Sequence, residues 1–407
     1  MTSSTATFDA LDESFQSDPF LTLSALREQH AAFRDAVLPA VHVLRYADVH
    51  AVLQDPVTFT NDYAWAIQPY LDSMPELAEE LPPLFLATDG DEHRRLRSLA
   101  NKAFSRGSVL QMEEHVHRLT EALLAKALEQ GDVDFIGALA YALPVQVIAG
   151  MLGLPVADHE WFKDWGGRFV GGFGSAVFGV PEPEVVDAQV ETFREMHAYL
   201  RPLVEQRRAA PTDDLLSRLV SAEEDGDRLT MPELMQMVGG LLVAGHETTT
   251  NLIANIVVEL CRHPAEVARL RTDPTLIPTA IEEVVRFAGP TFALMRIAAD
   301  DTEIAGVEVG EAEMVILWMS SAHRDPAVFE NPDTFDVGRN PNPHLGFSKG
   351  THFCLGAPLA RMEARVVLEH LLDSTASFEL LTEQPRPATS PIVRGYSELP
   401  VRLTPRA

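Results

Sequence analysis

The stretch from Thr230 to Arg262 constrains this chain more than any other. Thr230, Met231, Pro232 and Glu233 make a capping-box start with proline in the first turn, and an apolar-rich pattern then runs to Arg262 before Pro264 interrupts it. About 32 residues at 1.5 Å rise span roughly 48 Å, the width of a domain. The pattern is not heptad, and no run of eighteen apolar residues occurs anywhere in the chain. Such a helix has to pass through the middle of a folded core.

Shorter elements flank it. Apolar spacing predicts helices over 19–29, 46–53, 92–104, 107–129, 138–152 and 185–208, with a strand at 41–44. Residues 65–86 read as a loop with short helices, and Gly166, Gly167, Gly171, Gly172 and Gly174 lower helix propensity across 161–178. Beyond the long helix the pattern predicts a helix over 276–287, strands over 295–298 and 302–309, and a helix start near Leu317. A loop-rich 325–350, a last helix over 357–372 and C-terminal strands follow. No Pro/Gly/Ser-rich linker divides the chain. The expectation is therefore one domain, 1–407, mostly α with small β-sheets, made of a helix-rich lobe and a small sheet-rich lobe.

Sixty acidic against 32 basic residues give a formal net charge of -28, which opposes binding to nucleic acid or an anionic membrane. The opening residues MTSSTATFDA lack a basic start and an apolar run, so a cytoplasmic protein is expected. Two cysteines exclude a disulfide framework. Cys261 ends an apolar helical pattern and reads as a small buried hydrophobe.

Cys354 has a different setting: a glycine-punctuated loop, PHLGFSKGTHFCLGAPLARMEARVVLEH, just ahead of the last helix. Free N–H groups and the positive helix end favour a thiolate there. From the residues alone, a metal ligand, an inert thiol and a nucleophile all stay open, although zinc lacks a clustered ligand set and a nucleophile lacks an oriented base. Within the long helix, LLVAGHETTTN places a carboxylate and three hydroxyls in an apolar run. These hydroxyls could bond to carbonyls one turn back while Glu247 faces water.

The string from Phe347 to Gly356 resembles the haem-binding loop of the cytochrome P-450 superfamily, with Ser348 where glycine is commoner. Ala244, Gly245, Glu247 and Thr248 resemble the same family's oxygen-activation motif. Glu283 and Arg286, with Arg339 as third member, resemble its buried Glu/Arg network. His93 and Arg97, Arg296, and His352 match its propionate partners. The matches occur in family order along nearly the whole chain.

This resemblance implies a triangular-prism fold with a long central helix, and a soluble monomeric monooxygenase carrying haem b (heme b, iron protoporphyrin IX). Cys354 would ligate the iron, with Phe347, Gly356 and Ala244 against the cofactor. Gly245 would leave room for O2, and Glu247 and Thr248 would relay protons, in a helix kinked at that point. Electrons would come from NAD(P)H through a ferredoxin reductase and a ferredoxin, docking on a basic patch of Arg94, Arg95, Lys102, Arg106, Lys349 and Arg361. Trp65, Ile67, Phe169, Phe173, Leu241, Thr291, Phe292, Leu294, Ile392 and Val393 would line a pocket for a hydrophobic small molecule, with ordinary core packing as the alternative for each. A peroxide-driven peroxygenase and a non-catalytic haem sensor are the competing functions.

Overall fold

A computed structural model describes residues 5–6, 8–10, 12, 15, 18–36, 40–62, 85–155, 158, 161–162, 164–169, 183–224, 226–388 and 392–406. Its helices are, in chain order, α1 (Pro19–Gln29), α2 (Tyr46–Gln54), α3 (Gly90–Ala103), α4 (Arg106–Gln111), α5 (Glu113–Gln130), α6 (Ala142–Met151) and α7 (Pro183–Ala209). They continue with α8 (Leu215–Ser221), α9 (Met231–Arg262), α10 (Pro264–Thr272), α11 (Ile277–Ala288), α12 (Met319–Ala322) and α13 (Ala357–Ser374). The described chain divides into two compact units: Met1–Thr60 with Glu114–Pro144 and Glu247–Ala407, and Asn61–Glu113 with Val145–His246.

The first unit holds the sheets. Strands β1 (Thr5–Ala6), β2 (Ala32–Asp35), β3 (Ala40–Val43), β4 (Phe59–Thr60), β8 (Leu294–Ala298) and β11 (Met314–Leu317) form one sheet in the order β1-β2-β3-β11-β8-β4. Strand β11 runs parallel to β3 and antiparallel to β8, pairing Val315 with both Val41 and Arg296. A hairpin of β9 (Thr302–Ile304) and β10 (Val307–Val309) follows the main sheet's β8. β5 (Asp132–Asp134), β12 (Thr375–Leu380) and β13 (Pro400–Pro405) form a second sheet, with β13 in the middle. The core under the main sheet joins Val41, Val43, Val315 and Leu317 to Val49, Val52 and Leu345. Burying such side chains contributes roughly 1.5–3 kcal/mol each.

Among its described residues the second unit is mainly helical, with the two-residue strands β6 (Glu223–Glu224) and β7 (Asp227–Arg228). Helix α9 starts as its sequence predicts: the Thr230 amide donates to Glu233 Oε2 at 2.7 Å, and the Glu233 amide donates to Thr230 Oγ1 at 3.4 Å. Two expectations about helices need correction. The 107–129 segment is two helices, α4 and α5, and the side-chain or water insertion expected to break the ladder of α9 leaves Gly245–Thr248 assigned as helix throughout. Residues 161–162 and 164–169 are helical despite the glycines, and position 166 has a packing reason for its glycine: a β-carbon there would meet His246 Cε1 at 2.7 Å. Glycine there permits two helices to pass close together.

Candidate functional site

Backbone hydrogen bonds brace the cysteine loop before any side chain is considered. The Cys354 amide donates to the Phe347 carbonyl at 2.9 Å, the Ser348 amide to the Leu345 carbonyl at 2.7 Å, and the Leu345 amide to His323 Nε2 at 2.9 Å. Gly350 has φ +69°, and a β-carbon on it would sit 2.9 Å from the Leu53 carbonyl oxygen. Only glycine fits there. Cys354 is exposed, three residues ahead of α13. A β-carbon on Gly356 would lie 3.9 Å from the Cys354 sulfur, so this position stays open beside the thiol.

The loop is also held from its flank. Arg361, one turn into α13, stacks over the Phe347 ring at 4.2 Å and grips Glu282 through Nε at 2.6 Å and Nη2 at 2.8 Å. His344 Nε2 reaches the same carboxylate at 2.8 Å. Burial alone would raise the Glu282 carboxyl, but the bonds from Arg361 and His344 outweigh it and hold the group at about 2. Sequence reading missed this cluster. The signal was the second carboxylate of the Glu282–Glu283 doublet, which a single Glu/Arg pair leaves unexplained.

On the next helix face the Glu/Arg network is fully formed. Arg286 donates from Nε and Nη2 to the two Glu283 oxygens at 2.8 Å each, and Arg339 Nε reaches both at 3.1 Å. The Asp336 amide and Asn342 Nδ2 complete the carboxylate's shell. The remaining Arg286 and Arg339 donors take the carbonyls of His323, Glu330, Asn331, Pro332 and Thr334. Neither Glu283 nor Arg286 exposes its side chain. The pair therefore pins the chain of 330–342 to α11, directly before the cysteine loop.

Leu241, Ala244, Gly245 and Thr248 share one face of α9 by their three- and four-residue spacing. Ala244 is exposed, while Leu241, Gly245, Glu247 and Thr248 are half-buried. Burial pushes the Glu247 carboxyl up from its ordinary value, which weighs against the alternative of a freely solvated carboxylate. A β-carbon on Gly245 would stand 3.4 Å from Ile148 Cγ1, a packing reason for glycine at this position.

Arg296 lies in mid-sheet on β8, buried, with Nη1 donating to the Met295 carbonyl at 2.6 Å. No described acidic side chain pairs with it. A buried guanidinium with five donors fits an incoming carboxylate. His352 is half-buried in the turn before Cys354. Arg296, His352, Cys354, Glu247 and Thr248 thus belong to the first unit. In the second, His93 is buried on α3 with its ring stacked on Phe85 at 5.2 Å, and half-buried Arg97 lies one turn further along the same face.

Residues 184–395 match the family model described as cytochrome P450. This chain belongs to the cytochrome P450 family. It is 39% identical over 352 residues to erythromycin C-12 hydroxylase of Saccharopolyspora erythraea, covering 86% of this chain and 85% of that one. Cytochrome P450 CYP109Q5 from Chondromyces apiculatus has the same fold, with a TM-score of 0.88 at 31% identity over 98% and 99% of the two chains. CYP109E1 from Bacillus megaterium in complex with testosterone gives 0.83 at 34% identity, over 95% and 99%. The protein is accordingly a bacterial-type P450, a haem-thiolate monooxygenase that hydroxylates hydrophobic substrates, and family membership implies the haem cofactor. No described helix of this P450 is long and apolar enough to cross a membrane.

The expected pocket residues of the P450 separate into three groups. Trp65, Ile67 and Phe173 lie outside the described residues. Thr291 bridges to Val393, and the Phe292 amide donates to the Ile392 carbonyl at 2.8 Å, so these two segments run side by side; Leu294, two residues on, is half-buried. Phe292 itself is buried, its ring packed edge-on against Phe15, Phe20 and Trp318. Phe169 is buried against Trp165 and Phe193. Both rings are packed among other aromatic side chains.

The basic patch of this P450 needs correction. Arg94 pairs with Asp91, Arg95 with Glu92, Asp227 and Glu233, and Arg361 with Glu282. Their charges are locally answered, and the Arg106 side chain lies outside the described residues. Cys261 is partly buried rather than fully so; its thiol donates to the Phe378 carbonyl at 3.4 Å, and burial pushes it up to about 12. It is inert at neutral pH.

Proposed function

We propose that this P450, acting as a single domain, holds haem b through the Cys354 thiolate and inserts one atom of O2 into an apolar substrate of terpenoid, steroid, fatty acyl or macrolide type. The observation that carries the reading is the Cys354 loop: an exposed sulfur, backbone tied to Phe347, glycine beside it, and a helix N-terminus three residues on. A relative that hydroxylates erythromycin and a similar structure holding testosterone favour a bulky alicyclic or macrocyclic substrate.

The residues then divide the work. Phe347, Gly356 and Ala244 pack against the cofactor, and Arg296, His352, His93 and Arg97 take its propionates, for which the unanswered Arg296 guanidinium is the best-fitting partner. The haem supplies O2 activation and oxygen transfer. Glu247, whose raised carboxyl keeps a proton nearer neutral pH, passes protons inward, and Thr248 holds the last one at its hydroxyl, beside Gly245. Leu241, Thr291, Leu294, Ile392 and Val393 orient the substrate. Electrons come from NAD(P)H through ferredoxin reductase and ferredoxin to a cytoplasmic monomer, with Lys349 contributing to docking.

Carbon monoxide difference spectra of the reduced protein and its Cys354→Ser variant test this. The wild type should give the red-shifted Soret band of a thiolate-ligated haem, and the variant should lose both the band and NAD(P)H-driven product formation. A variant that keeps both would overturn the assignment of Cys354. Turnover driven by hydrogen peroxide alone, with none from NAD(P)H and redox partners, would replace the monooxygenase by a peroxygenase.

A further inference from the structure

Outside the site described above, His117 on α5 and His370 on α13 meet through Nδ1 and Nε2 at 3.0 Å, with rings 5.3 Å apart and tilted by 55°. Both side chains are half-buried, so solvent reaches them. Among the described residues no group of three or more His, Cys, Asp or Glu side chains converges to hold a metal ion. This pair is a smaller unit. Two imidazole nitrogens bound to one ion at about 2.1 Å stand roughly 3.0–3.4 Å apart for angles from square to tetrahedral. The observed separation already has that span, and binding an ion would replace the hydrogen bond between the two nitrogens.

We propose that His117 and His370 form a two-imidazole site for a divalent transition metal ion of the zinc type, bridging α5 and α13, with water in the remaining positions. The surroundings favour a cation: the carboxylates of Glu121, Glu369 and Asp373 all act on His370, although Arg365 already binds Glu369 at 3.0 Å. Burial, and then His117, lower the His370 pKa, so protons compete less with a metal at neutral pH. The anchoring has a structural consequence. Helix α13 starts at the cysteine loop, so the ion would clamp that helix to α5 from the far end without touching the reaction site.

The test titrates zinc chloride into untagged, chelator-washed holoprotein at neutral pH by calorimetry, alongside His117→Gln, His370→Gln and the same-helix control His115→Gln. Glutamine keeps a hydrogen-bonding amide but is a poor zinc ligand. The proposal expects one saturable equivalent per chain, a higher thermal midpoint with zinc, and affinity lower by about tenfold or more in each test variant but not in the control. Absence of a saturable equivalent, or wild-type affinity in both test variants, overturns it. Should a variant not load haem, peptide mapping of diethyl pyrocarbonate modification in the wild type decides instead: zinc should protect His117 and His370, and unchanged modification of both rejects the site.

Discussion

Arg286 holds both oxygens of Glu283 at 2.8 Å with neither side chain exposed. At this three-residue spacing a solvated pair would contribute only roughly 0.2–0.5 kcal/mol. Burial changes the accounting, because deleting one partner strands the other charge together with Arg339 and the Asp336 amide. Glu283→Gln should therefore destabilise the protein by about 3–5 kcal/mol. Denaturant unfolding of the holoprotein measures it, and a loss below 1 kcal/mol, on the order of an exposed pair, would refute the network's structural weight.

Glu247 leads to a prediction about pH. Its carboxyl is raised in the folded chain by burial, so between its unfolded and folded values the native state binds more protons than the unfolded one. Stability then falls as pH rises through that window, and the penalty persists above it. Glu247→Gln removes the penalty. The variant should match the wild type in acid, exceed it in thermal midpoint near neutrality, and turn over about a hundredfold more slowly with its substrate-induced spin shift intact. Equal midpoints at every pH would remove burial as the cause.

What could be read in advance follows how local each signal is. The ends of α9 were legible because Thr230 and Glu233 bond to each other and Pro264 closes the helix within a few residues. Strand β11 was not: MVIL is buried on both faces, so it has no alternation, and its partners at Val41 and Arg296 are distant in sequence. The helix start expected near Leu317 is present two residues on, where α12 begins at Met319, but the strand that leads into it carries no period of its own. The Glu283–Arg286 spacing and Arg339 were visible as residues, yet their burial depends on the fold of 330–342. The basic patch failed because Asp227 and Glu233, which answer Arg95, lie far along the chain from it.

Arg95 is consequently a structural residue. Its three acidic partners leave little charge for a docking protein, and each exposed or half-exposed pair contributes about 0.2–1 kcal/mol. Arg95→Gln should lower the thermal midpoint, more at low salt than at high salt, and leave the rate of reduction by ferredoxin within about twofold. Lys349→Glu should do the reverse. Stopped-flow reduction of the two variants separates them, and a slowed Arg95→Gln with unchanged stability would return Arg95 to the docking face.

Ser348 occupies the position where the family's loop prefers glycine, and its φ is +61°. A β-carbon in the left-handed region costs about 1–2 kcal/mol, and the Ser348 hydroxyl oxygen is buried with no hydrogen-bond partner. Neither burden is offset by a visible contact of the side chain. Its amide still closes the turn onto Leu345, a bond that glycine would keep. Glycine would gain unfolded-state entropy, which opposes the benefit by roughly 0.5–1 kcal/mol. The strain and the stranded hydroxyl together outweigh that, so Ser348→Gly should stabilise the holoprotein by about 1 kcal/mol. The same variant should leave the reduced carbon monoxide band in place, because the Cys354 amide bond to Phe347 does not involve the Ser348 side chain. A lower denaturation midpoint in Ser348→Gly would mean that the hydroxyl contributes more to the loop than its conformational strain costs.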